Sequence, residues 1–199
     1  MTDISIEEIK RLRELTGVGI TDAKAALVEA KGNFDKALEA MRKKGLTKAE
    51  KRGEREARAG VVSTYNHDNR IGVVVEVNCE TEFVARTDEF AELVKDVAMH
   101  IAASSPEYVS ADDIPADVRQ AKQTEFAEKT KAEGKPEKMI DSIVEGMLKK
   151  YFAERCLLDQ PFVKNPDQSV ADYIKDGIAK LGENIVVRRF ERMALGELA

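Results

Sequence analysis

Val61-Val62-Ser63-Thr64-Tyr65 and Ile71-Gly72-Val73-Val74-Val75-Glu76-Val77 flank the polar residues Asn66-His67-Asp68-Asn69-Arg70. Both runs are rich in β-branched side chains and the residues between them supply turn chemistry, so the stretch reads as a β-hairpin. Its surroundings are helical. On the C-terminal side Phe90, Leu93, Val94, Val97 and Ile101 recur at i, i+3, i+4, i+7 and i+11, the pattern of one long helix with an apolar face. Pro106 and Pro115 bracket a loop, and two charged helices come next over roughly 115–133 and 136–155, split by Glu133-Gly134-Lys135-Pro136. An irregular Leu157–Val163, a helix near 169–181 and a last strand, Asn184 to Met193, complete the segment. Strands at both ends of a mostly helical stretch predict an α+β domain, a small antiparallel sheet packed with helices. Three strands are few, so the sheet is expected to gain an edge from a second copy of the chain.

The residues before the hairpin read as three short helices. Ile6, Ile9 and Leu12 form a stripe after a Thr2/Asp3/Ser5 start, and the pattern stops at Thr16-Gly17-Val18-Gly19. Thr21 or Asp22 is expected to cap a second helix carrying Ala25, Ala26 and Leu27, which ends at Lys31-Gly32-Asn33. Phe34, Leu38 and Met41 mark the third, closed by Gly45. From Arg42 to Arg58 come eight Lys/Arg and three Glu, a local balance of +5 within a chain whose formal net charge is −5. This stretch reads as a helical linker with its charges in water, a nucleic-acid contact being the alternative. The expected organisation is a bundle at 1–45, a basic linker at 46–58 and an α+β core at 59–199.

Composition excludes most chemistry. With 199 residues, 43% of them apolar, the chain can bury a core and is too hydrophobic to be disordered. No apolar run approaches the roughly 18 residues of a membrane span, and MTDISIEEIK lacks the order of a signal peptide, so a cytoplasmic protein without membrane attachment is expected. Cys79 and Cys156 lie far apart and His67 and His100 are the only histidines, which leaves little for a metal site or for His-based acid–base catalysis. No phosphate-binding glycine loop or nucleophile elbow is present. No cofactor, no metal and no catalytic residue are expected. A protein that acts by binding another macromolecule is.

Three stretches carry a resemblance. They are Leu12-Arg13-Glu14-Leu15-Thr16-Gly17-Val18-Gly19-Ile20-Thr21-Asp22-Ala23-Lys24-Ala25-Ala26-Leu27, then Val77-Asn78-Cys79-Glu80-Thr81-Glu82-Phe83-Val84-Ala85-Arg86, then Gly182-Glu183-Asn184-Ile185-Val186-Val187-Arg188-Arg189-Phe190. In this order they resemble the elongation factor Ts family, the bacterial and organellar guanine-nucleotide exchange factors that act on elongation factor Tu in translation. The resemblance implies an N-terminal bundle similar to ubiquitin-associated domains, which grips the nucleotide-binding domain of elongation factor Tu. It implies a partner met both GDP-bound and nucleotide-free, with no direct nucleic-acid contact. Long members of the family carry a second core subdomain, and the length here fits the short form, which implies a homodimer.

The resemblance also assigns roles. Thr81, Glu82, Phe83 and Val84 correspond to a wedge, with Phe83 inserted beside the partner's magnesium site. Glu82 stands where the commonest pattern has Asp, one methylene shorter. Arg13, Ile20, Thr21 and Lys24 correspond to the docking surface of the bundle. Read from the residues alone, Thr81 caps a turn, Phe83 is core, Arg13 and Lys24 are solvated charges and Ile20 packs inward. A ubiquitin-associated-type adaptor without exchange activity is the other functional class that the sequence leaves open.

Overall fold

The computed structural model describes residues 4–16, 19–41 and 52–197. Helix α1 (Ile6–Thr16) opens on a capping box. The Ser5 hydroxyl accepts from the Glu8 amide at 3.1 Å, and the Glu8 carboxylate accepts from the Ser5 amide at 3.1 Å. Ile9 and Leu12 are buried with Ala23, Ala26 and Leu27 of α2 (Ile20–Glu29) and with Ala37 and Met41 of α3 (34–41). Ile6 departs from the expected stripe and is 72% exposed. Six residues at about 100° each place it roughly 120° around the axis from Leu12, off the packed face. Ala25 is exposed for the same reason, Ala23 taking its place at the i, i+3, i+4 spacing with Ala26 and Leu27.

The cap of α2 also differs from expectation. Gly19, with extended backbone and no side-chain bond, is the N-cap, and Asp22 lies inside the first turn, where its charge favours the helix dipole. The end of α2 is as expected. Lys31 and Gly32 take left-handed φ of 53° and 79°, and the Gly32 amide donates back to Leu27 O at 2.8 Å. The closing Gly45 and the basic stretch 42–51 lie outside the described residues.

Strands β1 (Ala59–His67) and β2 (Ile71–Cys79) form the hairpin. Asp68 and Asn69 take φ of 51° and 55° in its turn, the left-handed pair that matches strand twist. Along β2, Val73, Val75 and Val77 are buried while Gly72 and Val74 are exposed, the period of a sheet with one covered face. Strand β5 (Val186–Ala194) completes the sheet in the order β1-β2-β5, so the fold is the α+β architecture expected. Gly60 is obligatory here. At φ 138° a Cβ would stand 2.2 Å from Val77 O.

The chain divides into two compact units. The first comprises Met1–Ser63, Val75–Asp96 and Asp172–Arg188. Besides the N-terminal bundle it buries Phe90, Leu93 and Val94 from α5 (Asp88–Ser104), and Ile174 and Ile178 from α8 (Val170–Leu181). The second comprises Thr64–Val74, Val97–Ala171 and Arg189–Ala199. Its helices α6 (Ala116–Ala132) and α7 (Glu137–Ala153) are antiparallel, since Thr130 meets Met147 while Phe126 meets Tyr151 and Arg119 lies over Phe152.

The second unit also holds a two-stranded ribbon, β3 (Pro161–Phe162) with β4 (Asn165–Ser169), that the sequence pattern does not announce. Asn165-Pro166-Asp167-Gln168-Ser169 has no β-branched residue, so only its pairing makes it a strand. Beside it His100 is buried and satisfied, its Nε2 2.9 Å from Gln160 Oε1 and its Nδ1 accepting from the Val163 amide at 3.2 Å.

Arg188 and Arg189 of β5 are exposed. Val187 is buried, but alternation changes phase before Phe190, so Met193 is 78% exposed. Arg192 turns inward and donates to Ala102 O at 3.3 Å.

Candidate functional site

The hairpin's second strand ends at Cys79 and leads into a single helical turn, α4 (Glu82–Ala85). Thr81 is its N-cap, with its hydroxyl accepting from the Val84 amide at 3.3 Å. Thr87 closes the turn and opens α5, its hydroxyl donating to Val84 O at 2.8 Å and accepting from the Phe90 amide at 3.3 Å. Two threonines thus bound α4 on either side. Val84 and Ala85 are buried, Val84 to 6% exposure, so α4 is seated by its own inner face.

Phe83 points the other way and is 82% exposed. The expectation drawn from residue type alone, a core phenylalanine, is overturned by the geometry of the turn. With Val84 and Ala85 committed inward, the preceding side chain is carried about 100° around the axis into solvent. Leaving such a ring in water forgoes roughly 1.5–3 kcal/mol of burial. Glu82 is exposed beside it and faces Arg86 at 4.0 Å, a solvated pair of little energetic weight.

The turn is anchored from far along the chain. The Glu183 carboxylate accepts from the Glu80 amide at 3.1 Å, from the Thr81 amide at 3.0 Å and from the Thr81 hydroxyl at 2.6 Å. Charge-assisted bonds of this kind contribute about 1.5–3 kcal/mol each. Next to it the Asn184 amide donates to Glu80 Oε1 at 2.7 Å. The Asn184 side chain donates to Gly53 O at 3.2 Å and Arg55 O at 2.6 Å. Arg188 donates to Asn78 Oδ1 at 3.1 Å and Ala57 O at 3.3 Å. Beneath the turn Cys79 is fully buried, its thiol donating to Thr81 O at 3.2 Å. Burial, and then the Glu183 charge, push that thiol above its ordinary pKa.

The family resemblance singles out Thr81 to Val84 but gives no role to Glu183 or Asn184. Their signal lies in the third family-like stretch, yet 102 residues separate Glu183 from Thr81, and no local pattern announces such a pairing.

Arg13, Ile20, Thr21 and Lys24 lie on a separate patch, the surface of α1 and the start of α2. All four are exposed, and Ile20 is so to 56%, against the inward packing read from residue type. Leu15 and Val28 are exposed apolar residues on the same two helices. Among the described residues there is no group of three or more His, Cys, Asp or Glu that could hold a metal ion, and no helix is long and apolar enough to cross a membrane.

Known proteins resemble this chain over nearly its whole length. The family model described as Elongation factor TS matches residues 19–177. The chain is 47% identical over 194 residues to elongation factor Ts of Thermodesulfovibrio yellowstonii, covering 98% of this chain and 97% of that protein. It is 50% identical over 195 residues to that of Syntrophomonas wolfei, covering 98% and 91%. To that of Fervidobacterium nodosum it is 48% identical over 196 residues, covering 98% and 100%.

Proposed function

The chain belongs to the elongation factor Ts family, and we propose that it is a guanine-nucleotide exchange factor for elongation factor Tu, acting in the cytoplasm during translation elongation. The observation that carries the reading is Phe83, a large apolar ring held in water on a doubly capped turn. An exchange factor makes and breaks no covalent bond. It binds the nucleotide-free partner more tightly than the GDP-bound one, and linkage makes that antagonism mutual. A thousandfold coupling requires about 4 kcal/mol of differential contact, within reach of a few desolvated aromatic and charged groups. In a GTPase the magnesium ion bridges phosphate to protein, so a ring pressed beside its ligands lowers nucleotide affinity.

In this proposal Phe83 and Glu82 make the contact, while Thr81 caps the turn and Val84 seats it. Arg13, Ile20, Thr21 and Lys24 on the bundle at 1–45 dock the partner. The basic residues of 46–58 tether that bundle to the core at 59–199. No nucleic acid is contacted and no cofactor is used. The working form is a homodimer, supported by a sheet of three strands whose β2 and β5 expose Val74 and Met193.

The test is release of a fluorescent GDP from elongation factor Tu with and without the chain. Acceleration that saturates with added protein is expected, and an unchanged rate at saturation overturns the proposal. A monomeric mass by light scattering overturns the dimer.

A further inference from the structure

We infer that Glu183 is a positioning residue for exchange, holding the turn that presents Phe83, with Asn184 as its companion. The inference rests on the reading of Phe83 as the group that disturbs the partner's nucleotide site. An exposed ring has no packing to aim it, so its direction comes from the backbone of α4. That helix is four residues long, and with one turn its cap decides its orientation. The Thr81 hydroxyl has one hydrogen. Directed to Glu183 at 2.6 Å, it leaves an oxygen lone pair for the Val84 amide. The same carboxylate takes the Glu80 and Thr81 amides, so three donors ahead of α4 converge on one side chain. An ionised carboxylate can accept all of them, whereas an amide in its place offers one accepting oxygen. Asn184 extends the anchor to the carbonyls of Gly53 and Arg55, in the segment that leads into β1.

The experiment is a double-mutant cycle on GDP release from elongation factor Tu, using the full chain as wild type, Phe83→Ala, Glu183→Ala, Glu183→Gln and each Glu183 change combined with Phe83→Ala. Glu183→Ala is expected to lower the maximal release rate at least tenfold, with the half-saturating concentration within threefold of wild type. Glu183→Gln recovers part of that loss. Once Phe83 is alanine, Glu183→Ala adds less than twofold, because there is no ring left to aim. A purely structural role gives losses that multiply across the cycle, and that result overturns the inference while leaving the wedge standing. A wild-type chain without effect on release, or Phe83→Ala as fast as wild type, overturns the wedge and the inference with it. Should Glu183→Ala not fold, as judged by circular dichroism, Glu183→Gln is read in the same cycle. It keeps the side chain's shape, and a loss under twofold there overturns the inference.

Discussion

Replacing Phe83 with alanine separates the energy of the fold from the energy of the proposed partner contact. The ring is 82% exposed in the free chain, so removing it takes away little that packing supplies. A stability change within about 0.5 kcal/mol is expected, typical of a surface substitution. The contact proposed with elongation factor Tu is a different matter. If about 120 Å² of the ring is buried on docking, about 25 cal/mol per Å² gives about 3 kcal/mol, roughly a hundredfold. Phe90, fully buried in α5, is the internal control. Phe90→Ala is expected to cost about 3–5 kcal/mol, a fall in melting temperature of roughly 10 °C for a chain of this size. The assay pairs thermal unfolding with stopped-flow release of a fluorescent GDP. Phe83→Ala should melt within about 2 °C of wild type and release GDP far more slowly at equal concentration. Release within twofold of wild type refutes the role of the ring. A fall in melting temperature like that of Phe90→Ala refutes the claim that the ring lies outside the core.

Further expectations concern buried groups. Gly60→Ala forces a Cβ against Val77 O at φ 138°, and a loss of at least about 3 kcal/mol is expected by urea unfolding; a loss under about 1 kcal/mol refutes the close approach of β1 to β2. Burial holds His100 below its ordinary pKa of 6.5. The unfolded chain therefore takes up this proton first, and the stability present above pH 6.5 is lost as pH falls below it, by at most about 1.4 kcal/mol per pH unit. Wild type should lose more stability between about pH 7 and pH 5 than His100→Gln, and equal losses refute the assignment. Cys156 is fully buried with its thiol pushed up to about 11 by burial, and Cys79 is buried with its thiol raised. Neither should react with an aromatic disulfide reagent at about pH 8 until the chain is unfolded; rapid labelling of the native chain refutes their burial.

Much of the fold was legible because its signals are local and periodic. The five apolar residues from Phe90 to Ile101 mark α5, and all five are buried. The turn residues Asp68 and Asn69 mark the hairpin, and both take left-handed backbone. Where expectation and fold part, the deciding contact lies elsewhere in the chain. Ile6 fits a stripe by spacing, but the packed face of α1 is set by α2 and α3. β4 has no strand propensity and exists by pairing with β3.

The candidate site divides along the same line. The sequence by itself determined the Thr81 cap and the family to which the chain belongs, since each rests on residue type at short spacing. The tertiary structure alone decided that Phe83 faces water while Val84 faces inward, and that Glu183 anchors the turn. Which face of a single turn is buried depends on what packs beneath it. A hydrogen bond across 102 residues depends on how β5 and the segment before it return to the hairpin, and no short window of sequence contains that information.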